Sequence, residues 1–255
     1  FQESGSAVVH NTYGDPFPRM IWPTSYDKLA AATMFTLFFG GNDFAPKTLV
    51  DGVPVQEFLQ RHFINSMRQV AMKVKSLPNV VGFETLNEPV MGYIGKNLAT
   101  YPFLKNGETP TYFQGMALGA GYPQKVQVWT TGSTGFVQQE DKTINGKGIS
   151  AWKQNYNPIW ETHKVWQVSS SGKPELLQAD YFIVDDPNAL YFKPFANRFA
   201  TAIREVDDRF LIFVEPPLQT AMPIWDREEE TSHFVNATHF YDGVTLFTKT
   251  YMPWF

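Results

Sequence analysis

The chain has 255 residues, of which 43% are hydrophobic, so it is long enough to bury the core of one large globular domain. Its 21 basic and 25 acidic residues give a net charge of −4 without a basic run, which argues against a nucleic acid partner. Cysteine is absent, which excludes disulfides and thiolate chemistry within these residues, and no apolar stretch has the length of a transmembrane helix.

The first two predicted elements are helices. Residues 25–39 favour a helix that is capped by Ser25 or Asp27 and that ends at the glycine pair beginning with Gly40. Residues 54–77 give a stronger signal, because apolar residues recur at helical spacing and the opening proline suits a first helical turn.

A buried strand is predicted within residues 80–89, where a short apolar, β-branched run is bounded by glycine and proline. Asn87 and Glu88 lie just past its carboxyl end, where parallel α/β barrels place catalytic groups. A glutamate there can serve as the general acid of glycoside cleavage, and the Asn87 amide beside it can bind a substrate hydroxyl. The alternative is a surface glutamate in the turn after a strand.

Residues 91–180 interrupt this regular pattern. They are rich in Gly, Thr, Gln and aromatic residues, and they show weak periodicity. Because so long a span without clear elements is uncommon in a compact domain, it indicates a functional insertion after the strand that carries Glu88.

The last third of the chain returns to regular alternation. A helix over 187–206 precedes a strand over 210–214, and a short strand over 236–241 follows. Alternating helices and strands are typical of an α/β protein with a parallel sheet. The polar groups at three strand ends would then converge on one face of a barrel.

These strand ends supply the candidate catalytic groups. Glycoside hydrolysis uses two carboxylates, one that protonates the leaving oxygen and one that attacks the anomeric carbon or activates water. Glu88 is the candidate acid, and Glu215, which follows the 210–214 strand, is the candidate nucleophile. The alternative for Glu215 is a carboxylate that lines the site or braces a neighbouring loop.

His239 and Tyr241 lie two residues apart, so on a strand both side chains point to the same side. They could orient the carboxylates and bind the sugar, or they could form a histidine–tyrosine hydrogen bond in the core. The five histidines show no metal-ligand spacing, and no glycine-rich phosphate loop follows a strand. We therefore expect neither a metal nor a cofactor.

The segment FETLNEP, residues 83–89, resembles the acid/base strand of family-5 glycoside hydrolases. The more specific resemblance is to the fungal glycolipid β-glucosidases, which are the steryl-glucosidase and glucocerebrosidase-like relatives of endoglycoceramidase. It is carried by segments spread over most of the chain: 13–22, 33–39, 43–47, 160–166, 179–182 and 211–217.

The resemblance implies a (β/α)₈ TIM barrel and hydrolysis with retention of configuration. Glu88 matches the acid/base residue, Asn87 its substrate-binding neighbour, and His239 with Tyr241 the pair on a later strand. The implied substrate is a steryl β-glucoside or glucosylceramide, with a soluble β-glucan or a non-catalytic carbohydrate- or lipid-binding barrel as alternatives. The resemblance also favours a cytoplasmic or vacuolar fungal protein. Peripheral membrane contact is a further possible interaction, which the sequence itself does not decide.

Aromatic residues make up 16% of the chain, and their large apolar side chains could line a groove for the lipid. The insertion and the phenylalanine-rich segment 34–44 could form it, with ordinary loop packing as the alternative.

One departure from the family concerns the nucleophile. In the family this glutamate follows the His-x-Tyr strand, whereas Glu215 precedes it, and Asp242 is the one carboxylate after Tyr241. We therefore expect residues 1–255 to be the middle of a barrel, with the N-terminal strands and the nucleophile strand outside the chain. The remainder of the barrel would then be its partner, and the isolated segment would not fold stably.

Overall fold

The computed structural model describes residues 8, 22–132, 135–218, 220–226, 234–243, 245 and 250–254. The segment 13–21, which contributes to the family resemblance, lies outside the described residues. The backbone divides into two compact units, of which the first comprises residues 1–63 and 90–187 and the second residues 64–89 and 188–255.

The helices, in chain order, are α1 (Leu29–Phe44), α2 (Val55–Val74), α3 (Tyr112–Gly119), α4 (Ile159–Thr162) and α5 (Lys193–Arg204). A 3₁₀ helix (Trp22–Asp27) precedes α1, and a π-helix (Asn188–Phe192) precedes α5. The strands are β1 (Leu49–Val50), β2 (Val53–Pro54), β3 (Gly82–Glu84), β4 (Gly107–Thr109), β5 (Gln124–Gly132), β6 (Gly135–Gln138), β7 (Lys142–Ile144), β8 (Trp166–Val168), β9 (Pro174–Leu176), β10 (Leu211–Val214) and β11 (Phe234–Asn236).

Helix α1 begins later than predicted, with Lys28 at its N-cap in place of Ser25 or Asp27, and it ends later because its glycine pair does not terminate the helix. Gly40 has non-helical torsions, with φ −128°, and kinks the helix without ending it. A Cβ added at Gly40 would lie 2.8 Å from the ring of Phe44 and 2.9 Å from Ile94. The close approach of these two side chains therefore explains the glycine.

The prediction that residues 91–180 lack clear elements was wrong. β5 pairs antiparallel with β4, β6 and β7, and β8 forms an antiparallel hairpin with β9. Helix α3 begins with a capping box, in which Thr111 and Gln114 exchange side-chain to backbone hydrogen bonds. Most of these strands have three or four residues, and β6 is exposed throughout, so they left little hydrophobic periodicity to detect.

The core of the first unit contains a cluster of aromatic rings. Tyr93 stacks on Phe182 with ring centroids 5.4 Å apart, and Trp160 meets Phe182 edge to face at 5.0 Å. All three side chains are fully buried, and the indole N–H of Trp160 donates to the Thr33 hydroxyl at 3.2 Å. For these rings, ordinary packing is therefore the correct interpretation.

The second unit contains a parallel sheet in the order β11-β10-β3. Helix α5 buries Phe195, Phe199 and Ile203 on one side, and β10 buries Ile212 and Val214. A parallel sheet in a chain that also forms packed helices confirms the prediction of an α/β fold. The assignment to a TIM barrel stays a prediction.

The last strand lies earlier than the predicted 236–241. β11 ends at Asn236 because its side-chain oxygen accepts hydrogen bonds from the Thr238 N–H at 3.0 Å and from the Thr238 hydroxyl at 2.6 Å, which turns the chain. His239 and Tyr241 therefore lie in the segment after the strand.

Among the described residues, no helix is both long and apolar enough to cross a membrane.

Candidate active site

Three segments of the second unit meet because their strands are parallel and adjacent. β10 lies between β3 and β11, so the residues that follow the three strands emerge at one edge of the sheet. The structure thus brings together four of the predicted residues, because Glu215, His239 and Tyr241 all contact Glu88.

Glu88 is buried, and its backbone is in the left-handed region with φ 45°. A glutamate in this region is strained by about 1–3 kcal/mol, and a residue before proline is further restricted to extended conformations. Two hydrogen bonds oppose the strain: the Glu88 N–H donates to Glu215 Oε2 at 2.7 Å, and the Leu218 N–H donates to the Pro89 carbonyl at 2.9 Å.

The carboxylate of Glu88 is held by the two residues predicted to orient it. Its Oε1 accepts a hydrogen bond from His239 Nδ1 at 3.1 Å and another from the Tyr241 hydroxyl. Because the neighbours of Nδ1 are carboxylate oxygens, this nitrogen carries a proton. His239 and Tyr241 reach Glu88 from the irregular segment after β11, and not from one face of a strand as expected.

His239 lies among three carboxylates. Besides Glu88, its Nδ1 lies 3.3 Å from Glu215 Oε1, and its Nε2 lies 3.8 Å from Glu84 Oε1. The hydrogen bond to Glu88 raises the pKa of His239 above its usual value, and the charges of Glu215 and Glu84 act in the same direction. The arrangement therefore favours an imidazolium at the site.

Glu215 is the most deeply buried of these groups, with 1% of its surface exposed. Burial raises the pKa of its carboxyl, while the Glu88 N–H and the charge of His239 oppose this effect. Both of its oxygens point to site residues, Oε2 to the Glu88 backbone and Oε1 to His239.

Glu84 is a site residue that sequence reasoning missed. Its detectable signal was a charged residue within a strand of a parallel sheet, where strands are usually apolar throughout. Glu84, Glu215 and His239 bring nitrogen and oxygen atoms within 4.8 Å of one another. Because the neighbouring carboxylates favour a protonated His239, which cannot ligate a cation, we treat this group as a charge cluster and assign no metal to it. The spacing rules used on the sequence could not detect a group contributed by three strand ends.

Asn87 is exposed at the surface beside Glu88. Its amide is therefore accessible to a ligand, and its role in binding a substrate hydroxyl stays a prediction.

Similarity searches identify glycosidases as relatives, although no protein-family model matches the chain. The chain is 37% identical over 267 aligned residues to a glucosylceramidase of Rhizopus delemar, and the alignment covers 98% of this chain and 38% of that protein. It is 34% identical to an ergosteryl-β-glucosidase of Saccharomyces cerevisiae, again over 98% of this chain and 39% of the relative.

A solved structure agrees with these relatives. Cryptococcus neoformans sterylglucosidase 1, crystallised with tris, superposes with a TM-score of 0.83 at 32% identity, over 91% of this chain and 37% of the other. The chain thus spans about 38% of the length of the curated relatives that it matches. Over that part, the chain is homologous to the fungal glucosylceramidases and steryl β-glucosidases, as its sequence predicted.

Proposed function

We propose that the protein carrying this chain is a retaining β-glucosidase that hydrolyses the O-glucosidic bond of a glucosylated lipid, either a steryl β-glucoside or glucosylceramide. The names of its relatives support this class of substrate. The observation that carries the proposal is Glu88, a buried carboxylate at a strand end whose Oε1 accepts hydrogen bonds from His239 and Tyr241.

In this proposal Glu88 is the acid/base residue. It protonates the glucosidic oxygen as the bond to the lipid breaks, and it later takes a proton from the water that releases glucose from the enzyme. Both donors contact Oε1, so we assign the proton transfer to Oε2. The exposed Asn87 amide binds a hydroxyl of the glucose.

Retention also needs a carboxylate that attacks the anomeric carbon from the opposite side, about 5–5.5 Å from the acid/base carboxyl. Glu215 is a poor candidate, because it is 1% exposed and its Oε2 is bonded to the Glu88 backbone. In the fungal glycolipid β-glucosidases that the sequence resembles, the nucleophilic glutamate follows the His-x-Tyr segment. We therefore assign the nucleophile to a glutamate after that segment, outside residues 1–255.

We also propose peripheral membrane contact, since a glucosylated lipid is presented at a membrane surface. Lys105 lies over the rings of Tyr101 at 5.5 Å and Trp129 at 4.4 Å, and Phe103 is 78% exposed. Aromatic and lysine side chains in such combinations are typical of membrane interfaces. Membrane contact is tested by sedimenting the protein with phosphatidylcholine vesicles. We expect the Phe103→Ser variant to bind the vesicles less than wild type does, and equal binding would contradict the proposed contact.

The activity is tested with Glu88→Gln in the protein at its natural full length. Loss of the general acid should lower kcat on glucosylceramide and on a steryl glucoside by about 10²–10⁴-fold. An aryl glucoside with an acidic leaving group needs little protonation, so its first cleavage step should be largely retained.

The matched control is Glu140→Gln, an exposed glutamate of the first unit, which should leave all rates unchanged. Near-normal hydrolysis of the lipid glucosides by Glu88→Gln would remove Glu88 from this role. Faster turnover of laminarin or a cellodextrin than of either lipid glucoside would replace the lipid by a soluble glucan as the substrate.

A further inference from the structure

We propose that Glu215 is a positioning residue, whose buried carboxylate accepts the Glu88 backbone N–H with one oxygen and pairs electrostatically with the His239 imidazole through the other. This role rests on the proposed function, in which Glu88 is the acid/base residue. It assigns to Glu215 the support of the catalytic group and excludes it as the nucleophile.

The first part of the role is the hold on the Glu88 backbone. The last ladder bond between the neighbouring strands is donated by the Thr85 N–H to the Phe213 carbonyl at 2.9 Å. Three residues later the chain enters the left-handed region, and the Glu88 N–H meets the Glu215 side chain, with Oε2 at 2.7 Å. A carboxylate thus replaces the backbone acceptor where the ladder has ended.

A second hydrogen bond strengthens this hold. The Leu218 N–H donates to the Pro89 carbonyl at 2.9 Å, so the segment 215–218 binds the chain on both sides of the peptide bond that follows Glu88. Since φ 45° is unfavourable for a glutamate before proline, the conformation depends on such external partners. Loss of the Glu215 carboxylate should let Glu88 relax and move its carboxyl.

The second part of the role is electrostatic. His239 Nδ1 lies 3.1 Å from Glu88 Oε1 and 3.3 Å from Glu215 Oε1, so one N–H faces two carboxylates. Glu84 faces the other ring nitrogen, and the Tyr241 hydroxyl shares Oε1 of Glu88. The charge of Glu215 therefore helps to keep His239 protonated, as a donor to Glu88.

Burial separates this role from that of a nucleophile. A nucleophilic oxygen must reach the anomeric carbon of a bound sugar. Glu215 is 1% exposed, whereas the side chain of Glu84, at the same sheet edge, is 35% exposed. The geometry of Glu215 suits contacts within the protein and not contact with a substrate.

Two substitutions separate the two parts. Glu215→Gln keeps an oxygen that can accept the Glu88 N–H, but it removes the charge beside His239. Glu215→Asp keeps the charge but withdraws the carboxylate from the Glu88 backbone. Both are measured in the full-length protein by kcat and KM for glucosylceramide over a pH series.

For Glu215→Gln we expect the alkaline limb of the kcat/KM profile to move to lower pH, because His239 loses a charge that raises its pKa. For Glu215→Asp we expect kcat to fall at least tenfold, with KM changed less than threefold and the limb unmoved. A purely structural residue would lower activity in both variants without moving the limb. The matched control is Glu205→Gln, which removes an exposed ion pair with Arg68 on the same unit and should alter neither.

Folding of each variant is checked by its thermal transition. If Glu215→Gln fails to fold, Glu215→Asp decides the proposal through its split between kcat and KM. Unchanged kcat in a folded Glu215→Asp variant would overturn the hold on Glu88.

The nucleophile assignment has its own test, in which Glu215→Ala is assayed with an activated aryl glucoside and azide. If Glu215 only positions Glu88, the glucosyl-enzyme still forms and azide captures it as the β-glucosyl azide. An α-glucosyl azide would overturn the proposal, since it arises by direct displacement in an enzyme without its nucleophile.

A wild-type protein inactive on both lipid glucosides would overturn the proposed function, whereas active wild type with unaltered Glu215 variants would overturn the role of Glu215 alone.

Discussion

The two units differ in how their cores arise from the sequence. In the second unit, α5 buries a regular helical stripe and β10 alternates buried and half-buried residues, so packing follows local periodicity. In the first unit, Tyr93, Trp160 and Phe182 come from separate segments and meet only in the folded chain. Sequence patterns therefore predict the second unit well and the first unit poorly.

The largest expected effect comes from the aromatic cluster of the first unit. Trp160→Ala should lower the free energy of unfolding by about 3–5 kcal/mol, because a fully buried ring is replaced by a cavity. The effect would be measured by denaturant unfolding of the full-length protein, with hydrogen exchange used to locate the loss of protection.

The matched control for the cluster is Trp152→Ala, a half-buried tryptophan in the same unit, for which a smaller loss is expected. Equal losses for the two variants would show that the cluster contributes no more than an ordinary tryptophan. The contrast between a tertiary core and a periodic core would then lack an energetic basis.

The helix predictions illustrate how much of the fold the sequence contains. The 54–77 prediction matches α2 to within three residues at its end, because periodicity and the following proline are local signals. The end of α1 was misplaced, because only packing shows that Gly40 accommodates Phe44 and Ile94. Elements are predicted where local rules decide them, and errors arise where a tertiary contact overrides those rules.

A second test concerns a histidine that holds loops of the first unit. His163 Nδ1 donates to the Ile159 carbonyl at 2.7 Å, and Nε2 accepts from the Lys47 N–H at 3.2 Å. His163→Ala should cost about 1–2 kcal/mol of unfolding free energy, since two hydrogen bonds and a buried side chain are lost. The exposed His62→Ala is the control, with a change within about 0.5 kcal/mol, and a loss no larger for His163 would contradict the expectation.

The sequence predicted four of the residues that meet at the candidate site, but it missed Glu84 and did not predict the geometry. Strand ends of a parallel sheet share one edge, so Glu88, Glu215 and His239 could be grouped from the sequence. The left-handed torsion of Glu88 and the contact of Glu84 with His239 could not be predicted, because they depend on contacts between segments over 120 residues apart, such as Glu88 with Glu215. Order along the chain indicates which groups meet but not how they bond.

A smaller effect is expected at the start of α3, one of the elements that periodicity missed. Thr111→Ala should cost about 1 kcal/mol, because the capping box loses the hydroxyl that accepts the Gln114 N–H at 3.1 Å. Thermal unfolding measures this loss, and Thr111→Ser, which keeps the hydroxyl, should recover most of it. If serine and alanine were equally destabilising, the cap would not be the cause.

The smallest expected effect is the pH dependence of stability, and it should belong to the second unit. The pKa of His239 is raised in the folded protein, so the folded state binds its proton more tightly than the unfolded state. Its contribution is complete below the unfolded value of about 6.5 and is lost as pH rises through the raised pKa. Burial also raises the pKa of Glu215. Its ionisation therefore lowers the free energy of unfolding as pH rises above the usual carboxyl pKa, so both groups make the folded state less stable at higher pH. Wild type should therefore exceed His239→Gln in melting temperature most at low pH, by a modest margin because solvent screens the partly exposed imidazole. Hydrogen exchange across the same pH series should lose protection first around β10 and β11. A margin that grows with rising pH, or a loss that begins at Trp160, would mean that the charged site does not set the pH response.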